Sequence, residues 1–144
     1  MTSFAIRGAL TVLALLVVVW LGFGVRGVRL ESDADAVLAR AQSGPLAPAT
    51  VNTALDDYAK AARLSPDQTP LIHQGELLES VGRRAEAHGV AVRATDAEPD
   101  NLQAWFLRWV VSDPKSLEKK LAKRRVLDLN PWFLYALTGR SPHW

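Results

Sequence analysis

The stretch that decides the fold of this chain is residues 68–100, QTPLIHQGELLESVGRRAEAHGVAVRATDAEPD. Its proline, Pro99, has counterparts in Pro66 and Pro131, which lie 33 residues before it and 32 residues after it. A period in the thirties is typical of stacked helix pairs. The spacing therefore predicts an all-α array that offers a continuous surface to a partner instead of enclosing a catalytic pocket.

Small or apolar residues stand at fixed distances before the three prolines, with the exception of Lys119. Five residues before the prolines stand Ala61, Ala94 and Val126. Twelve residues before them stand Ala54, Ala87 and Lys119. The two distances differ by seven residues, or two helical turns, so these positions share one stripe of a helix and let a neighbouring helix approach closely. Gly75 and Gly82 bracket an earlier helix and its turn. Each unit is thus predicted to be a helix hairpin.

These positions resemble the motif of the tetratricopeptide repeat (TPR) family. That motif has a Gly in the first helix, a Gly at the turn, two spaced Ala in the second helix and a closing Pro. The middle unit carries all of them in register as Gly75, Gly82, Ala87, Ala94 and Pro99. The resemblance implies about three helix hairpins and a groove, formed by the first helices of successive units, that accepts an extended or helical peptide.

The outer two units match less completely. The first unit matches only in its second helix, at Ala54, Tyr58, Ala61, Leu64 and Pro66. Its first helix is predicted over residues 32–42 and is followed by an irregular loop over residues 43–48 that does not fit the motif. In the third unit Trp105 stands where the family favours Trp, whereas Lys119 replaces a small residue. We favour a short repeat array over the alternative of an irregular helical bundle.

Two Pro-containing dipeptides suggest where helices begin. Thr69-Pro70 and Asp113-Pro114 each pair a capping residue with a proline suited to the first helical position, which predicts helices over residues 71–81 and 115–129. Between them, Trp105 and Trp109 are one turn apart and share a face. We interpret that face as core packing, with a ligand-stacking platform as the alternative.

The N-terminal region contains a predicted membrane helix. Residues 8–25 carry no charge, and eighteen helical residues span about 27 Å, close to the thickness of the hydrocarbon core. A cleaved signal peptide is the alternative, but no small-residue cleavage site follows the apolar stretch. We favour an uncleaved single-pass anchor.

The cues for membrane orientation nearly cancel. Arg26 and Arg29 after the span, against Arg7 before it, favour a cytoplasmic C-terminal part. The short N-terminus favours translocation instead. Because the layout resembles that of bacterial envelope proteins, our expectation is a bacterial cell-membrane protein with an extracytoplasmic repeat domain.

The domain organisation follows from these segments. We predict an anchor over residues 1–30, a TPR-like domain over 31–131 and a capping segment over 132–144, where Trp132, Phe133 and Leu134 begin an apolar run. Lys and Arg number 17 and Asp and Glu number 15, a net charge of +2, so a strongly basic nucleic-acid binder is not indicated. The absence of Cys excludes disulfides and thiolate chemistry.

Residues 115–125 form the sharpest local charge pattern. Five of them make a candidate basic surface: Lys119, Lys120, Lys123, Arg124 and Arg125. A solvated helix face is the favoured interpretation. Contact with anionic lipid headgroups or an acidic partner is the alternative, since each basic residue near such a membrane contributes about 1 kcal/mol.

The sequence offers little support for an enzyme. His73, His88 and His143 lack metal-ligand spacing to one another, and no phosphate-binding loop or nucleophile elbow is present. Glu76 and Glu79 on the first helix of the middle unit are interpreted as a solvated or peptide-binding face rather than an acid–base pair, and His73 as a surface partner of Glu76. We therefore predict no catalytic residue, metal or cofactor.

The TPR resemblance implies which side chains line the groove. They are Ile72, Glu76 and Glu79 in the middle unit and Gln103, Phe106 and Val110 in the next. We expect a membrane-anchored scaffold that binds a protein, and by analogy one linked to surface polysaccharide assembly, with self-association left open. The alternative is a lipid- or membrane-surface-binding accessory protein that uses the basic helix and the aromatic residues.

Overall fold

The structure, a computed structural model, describes the backbone of residues 2–133 and the side chains of residues 13–22 and 24–133. Over these residues the chain is all-α, as predicted, and contains no strand. Its six helices are α1 (Thr2–Ala41), α2 (Pro48–Leu64), α3 (Thr69–Ser80), α4 (Arg84–Ala97), α5 (Leu102–Val111) and α6 (Leu117–Leu129).

The first helix, α1, is continuous over 40 residues, which corresponds to about 60 Å. The separate helix predicted over residues 32–42 is therefore the last part of the same helix that holds the apolar segment. The first proline in the chain is Pro45, so nothing breaks the helix earlier. Its last turns bury Ala34, Val37 and Leu38 against α2.

The middle hairpin, α3 and α4, follows the predicted pattern. Gly82 ends α3 with a φ of +77°, and its N–H donates to Glu79 O at 2.9 Å while Arg83 N–H donates to Leu78 O at 2.8 Å. This hydrogen-bond pair is the usual glycine-dependent end of a helix. On α4, Ala87 and Ala94 are fully buried, as expected for the stripe that admits a neighbouring helix.

Close approach of three helices explains Gly75. A Cβ atom at this position would overlap Leu107 Cδ2 of α5 and lie 3.3 Å from Val90 Cγ1 of α4. The glycine thus lets α3 pack directly on both neighbours. The resulting core includes Ile72, Leu107 and the buried alanines of α4.

Two predicted helix starts are wrong. The residue before α3 is Gln68, and Thr69 is already helical, with its N–H donating to Asp67 Oδ1 at 2.9 Å. The last helix begins at Leu117 because Ser116 Oγ accepts the N–H of Lys119 at 3.1 Å. Asp113-Pro114 instead forms a turn ahead of that cap, in which Asp113 Oδ1 accepts the N–H of Lys115.

The predicted tryptophan core stripe is also wrong. The buried face of α5 consists of Ala104, Leu107 and Val111. Trp105 and Trp109 lie beside that face and are half-buried. The buried face of α5 instead packs Ala104 and Leu107 into the core with Ile72 and the alanines of α4.

The helices stack in chain order, and each contacts the next. In addition the backbone of α3 lies close to the backbones of α1 and α5, whereas no two of α2, α4 and α6 approach so closely within residues 2–133, where the side chains of His88 and Glu118 link α4 to α6. One side of the molecule is therefore formed by α1, α3 and α5, which we call the odd-helix face. The predicted capping segment lies outside the described residues from Leu134 onward.

Candidate functional site

The predicted groove residues fall into three environments. Ile72 is only 1% exposed and belongs to the core, so its assignment to an open groove is wrong; α3 is rotated so that this side chain points toward α4 and α5. Glu79 and Gln103 are exposed, and Phe106 is 38% exposed. Glu76 and Val110 are half-buried.

An aromatic cluster of Phe106, Trp109 and Phe133 joins α5 to the residues that follow α6. The Phe106 ring meets Trp109 and Phe133 edge-on, with centroids 5.8 and 5.4 Å apart. Lys123 of α6 places its Nζ 5.8 Å from the Trp109 ring centroid, within the range of a cation–π contact. The cluster thus presents a partly exposed apolar surface beside a positive charge.

A carboxylate–imidazole cluster, formed by Glu31, Asp35, Tyr58 and His73, lies where α1, α2 and α3 meet. His73 Nδ1 is 2.9 Å from Asp35 Oδ1 and 3.7 Å from Glu31 Oε1. Tyr58 donates its hydroxyl proton to Asp35 Oδ1 at 2.7 Å. Because Glu31 and Asp35 are one turn apart on α1, both carboxylates reach the same imidazole.

Burial shapes the chemistry around this cluster. Tyr58 is fully buried, and its burial, together with the hydrogen bond to Asp35, raises the pKa of the phenol. The phenol therefore stays protonated and remains a donor. Burial also raises the pKa of Glu76, an effect that Asp35 reinforces and His73 opposes.

The predicted pairing of His73 with Glu76 is not the one observed. His73 pairs with Asp35, which is 38 residues earlier in the chain. No sequence motif marked Glu31 or Asp35 as a site residue. The one signal available was their spacing of four residues, with Asp35 in the helix predicted over residues 32–42 and Glu31 just before it, and by itself that spacing does not indicate which residue they face.

The five residues of the predicted basic surface do not form a uniform patch. Lys120, Lys123 and Arg124 are exposed. Lys119 is half-buried, and Arg125 forms an ion pair with Asp100 Oδ1 at 2.5 Å. Within residues 13–133, these three exposed cations form no ion pair, although Lys123 contacts the Trp109 ring, and they remain for a solvated face or an anionic partner.

A second polar network joins α4, α5 and α6. Glu118 lies 2.8 Å from His88 Nε2 and accepts a hydrogen bond from Arg108 Nε at 2.7 Å. Arg108 also donates to Thr95 Oγ1 at 2.8 Å. Burial of Glu118 opposes its charged form, but the hydrogen bonds from Arg108 and His88 outweigh this effect and lower its pKa.

The apolar part of α1 is long and apolar enough to cross a bilayer. No residue in its most apolar stretch of 18 residues is buried, and Trp20 is 74% exposed. Beyond it, a cleft of about 490 Å³ lies between α1 and the end of α2; Trp20, Val28, Arg63 and Leu64 are among its lining residues. The end of α2 is therefore close to the point where the apolar segment ends.

In comparisons with known proteins, no family model matches the chain, and neither a curated protein nor a solved structure shows significant similarity to it.

Proposed function

We propose that this protein is a single-pass, membrane-anchored scaffold that binds a protein partner through a TPR-like helical domain and has no turnover of its own. The continuity of α1 carries the proposal. One helix supplies both the apolar segment and the first packed helix of the domain. A partner bound by the domain would thus be held at a fixed height above the membrane.

The arrangement of the hairpins supports a TPR-like domain. In such arrays the first helices of successive hairpins line the inner surface, and the odd-helix face has this composition. The glycine and alanine positions of the middle unit serve the packing roles that the motif requires. The agreement is best in that unit, where α3 and α4 form the hairpin.

Exposed side chains on α3 and α5 give the proposed binding surface its chemistry. Glu79 and Gln103 provide charge and hydrogen bonds, while Phe106 adds an exposed apolar ring. A short array offers a shallow surface, so affinity for a free peptide would be modest. Confinement of both partners to one membrane raises their effective concentration and compensates for that weakness.

We place the domain on the outer side of a bacterial cell membrane, in an envelope complex, with surface polysaccharide assembly as the candidate pathway. The pathway rests on analogy with repeat segments joined to glycan ligases and polymerases. A second copy of this chain is a further candidate partner. An envelope protein and a second copy of this chain can be distinguished by identifying the protein that is crosslinked to the domain.

Photo-crosslinking in native membranes tests the scaffold. A photoreactive residue at Gln103 on α5 should capture a defined membrane or envelope protein, whereas the same residue at Arg93, exposed on α4, should not. Capture of the chain by itself at Gln103 would indicate a homo-oligomer. Equal capture at both positions, or none at either, would contradict a partner surface on the odd-helix face.

The cleft beside Arg63 favours one alternative function, a lipid-binding accessory protein. It combines an apolar wall from α1 with a cationic side chain at its rim, and the exposed cations of α6 could add contacts to anionic headgroups. Substituting Lys120, Lys123 and Arg124 with Gln should weaken binding to phosphatidylglycerol vesicles if this alternative is correct. Unchanged vesicle association would leave only the anchor as the membrane contact.

A further inference from the structure

Three potential metal-binding atoms converge from two helices in the carboxylate–imidazole cluster. Glu31 and Asp35 extend from α1, and His73 extends from α3. The imidazole Nδ1 and one oxygen of each carboxylate all lie within 4.8 Å of one another. These side chains are half-buried, so the group is both held in place by packing and open to solvent on one side.

We propose that Glu31, Asp35 and His73 bind one divalent transition-metal ion of the Zn²⁺ class. Ligands about 2.0–2.1 Å from a tetrahedral Zn²⁺ ion are separated by about 3.3 Å. The separations of His73 Nδ1 from Asp35 Oδ1 and Glu31 Oε1, 2.9 and 3.7 Å, bracket that value. Small rotations of the two carboxylates would therefore complete the site without backbone movement.

The donor set selects for a class of metal. One imidazole nitrogen with two carboxylate oxygens suits Zn²⁺ and its neighbours in the first transition row, whereas Mg²⁺ and Ca²⁺ prefer oxygen ligands alone. Three protein ligands leave the fourth position open. Water would fill it, or a carboxylate or imidazole supplied by a bound partner.

The surroundings lack the positive charge that would balance these carboxylates. Within the described residues, neither Glu31 nor Asp35 has a Lys or Arg at ion-pair distance, and His73 is their shared partner. Glu76 adds a half-buried carboxyl beside His73 and Asp35, and no ion pair is found for it within those residues. A bound cation would relieve this concentration of negative charge.

Tyr58 acts as a positioning residue for the proposed site. It is fully buried, and its hydroxyl donates to Asp35 at 2.7 Å. Hydrogen bonds of this kind hold a ligating carboxylate in orientation and increase metal affinity. The ion would then join α1 to α3, which ties the membrane-proximal helix to the middle hairpin, and this role does not depend on the proposed partner.

Metal titration of the full-length chain tests the site. The protein would be purified in detergent micelles without a polyhistidine tag, stripped with a chelator and titrated with Zn²⁺ by calorimetry. We expect one ion per chain, and Co²⁺ should give the absorption spectrum of a four- or five-coordinate site. A tenfold excess of Mg²⁺ or Ca²⁺ should not displace either ion.

Variants assign the ligands. Glu31→Gln, which removes no hydrogen bond found among the described residues, and His73→Ala should each weaken Zn²⁺ binding at least tenfold. The matched control is His88→Gln, because His88 also faces a carboxylate, Glu118, but that carboxylate already forms an ion pair with Arg108. Its affinity for Zn²⁺ should equal that of the wild type.

Stability provides an independent measurement. A Zn²⁺ concentration that saturates the wild type should raise the midpoint of thermal unfolding equally for the wild type and His88→Gln, and clearly less for Glu31→Gln, because weaker binding gives less stabilisation at the same concentration. Circular dichroism at the start of each melt would establish that the variants are folded. Equal Zn²⁺ affinity in the wild type and Glu31→Gln, or displacement of Zn²⁺ by Mg²⁺, would overturn the proposal.

Discussion

Gly75 lies where α3 packs closely against both α4 and α5. A methyl group there would overlap Leu107 and press on Val90. Overpacking of a core costs about 1–3 kcal/mol, and alanine regains about 1 kcal/mol of helix propensity. We therefore expect Gly75→Ala to lower the free energy of unfolding by up to about 2 kcal/mol, measured by urea denaturation of the full chain in micelles.

Gly89 on α4 provides the matched control for that experiment. A Cβ atom at Gly89 would meet only the end of the Arg93 side chain, 4.0 Å away. Gly89→Ala should therefore stabilise the protein by up to about 1 kcal/mol through helix propensity. If both substitutions changed stability in the same direction, close packing at Gly75 would not be the reason for the glycine.

Glu118 makes stability depend on acid pH. Its pKa is lowered in the folded chain by Arg108 and His88, despite the opposing effect of burial. The stabilisation is therefore complete above the usual Glu pKa of 4.5 and is lost as the pH falls through the lower folded-state value. Glu118→Gln should cost about 1 kcal/mol at pH 7, since the group is partly solvated.

The pH dependence of that cost is the decisive measurement. The difference in unfolding free energy between the wild type and Glu118→Gln should shrink as the pH is lowered from 7 to 3. Glu79→Gln is the control, because Glu79 is exposed and should change stability little at either pH. A difference that stays constant across this range would mean that Glu118 contributes through shape and not through charge.

At the scale of elements, the end of α5 depends on a side chain from α4. Arg84 donates to the carbonyl oxygens of Val110, Val111 and Ser112, with distances of 2.9 Å to Val111 and 3.3 Å to Ser112. These carbonyls lack partners within their own helix. Arg84→Ala should cost about 1–2 kcal/mol and speed amide exchange in the residues that follow α5.

Two further variants separate capping from charge. Arg84→Lys retains the charge but lacks the planar donor fork, so it should restore only part of the lost protection. Arg93→Ala removes an exposed guanidinium whose hydrogen bond is to Gly89 O of its own helix and should leave exchange after α5 unchanged. Full rescue by Lys would show that charge alone stabilises this end.

Sequence periodicity predicts the helix hairpins better than their ends and faces. The stripe of Ala87 and Ala94 depends on local spacing, so it could be identified directly, as could the helix stop at Gly82. The start of α6 at Leu117 could not, because Asp113 and Ser116 are both good capping residues and each accepts a backbone N–H in the structure. Nor does spacing reveal that Trp105 lies beside the buried face.

At the scale of the whole molecule, the continuity of α1 decides how the parts are joined. The sequence divides anchor from domain near residue 30, yet one helix crosses that boundary and places Glu31 and Asp35 beside His73. This long-range pairing follows from how α1 packs on α2 and α3, and local sequence signals carry no such information. The all-α class and the apolar N-terminal helix were therefore predictable from the sequence, and the proposed metal site was not.

Orientation in the membrane gives the last prediction, and the absence of Cys makes it directly testable. Ser43 lies exposed just after α1, on the domain side of the apolar segment. If the domain is extracytoplasmic, Ser43→Cys should react with a membrane-impermeant maleimide in intact spheroplasts. Leu16→Cys, within the apolar segment, should remain unlabelled before and after lysis, since the bilayer excludes the charged reagent.

Lysis distinguishes the two orientations. If Ser43→Cys is labelled equally in intact and in lysed spheroplasts, the domain lies outside the membrane, where an envelope partner could reach the odd-helix face. Labelling that requires lysis places the domain in the cytoplasm, in line with Arg26 and Arg29 following the span. In that case the scaffold would have to act on the cytoplasmic portion of a membrane complex, and the extracytoplasmic assignment would be wrong.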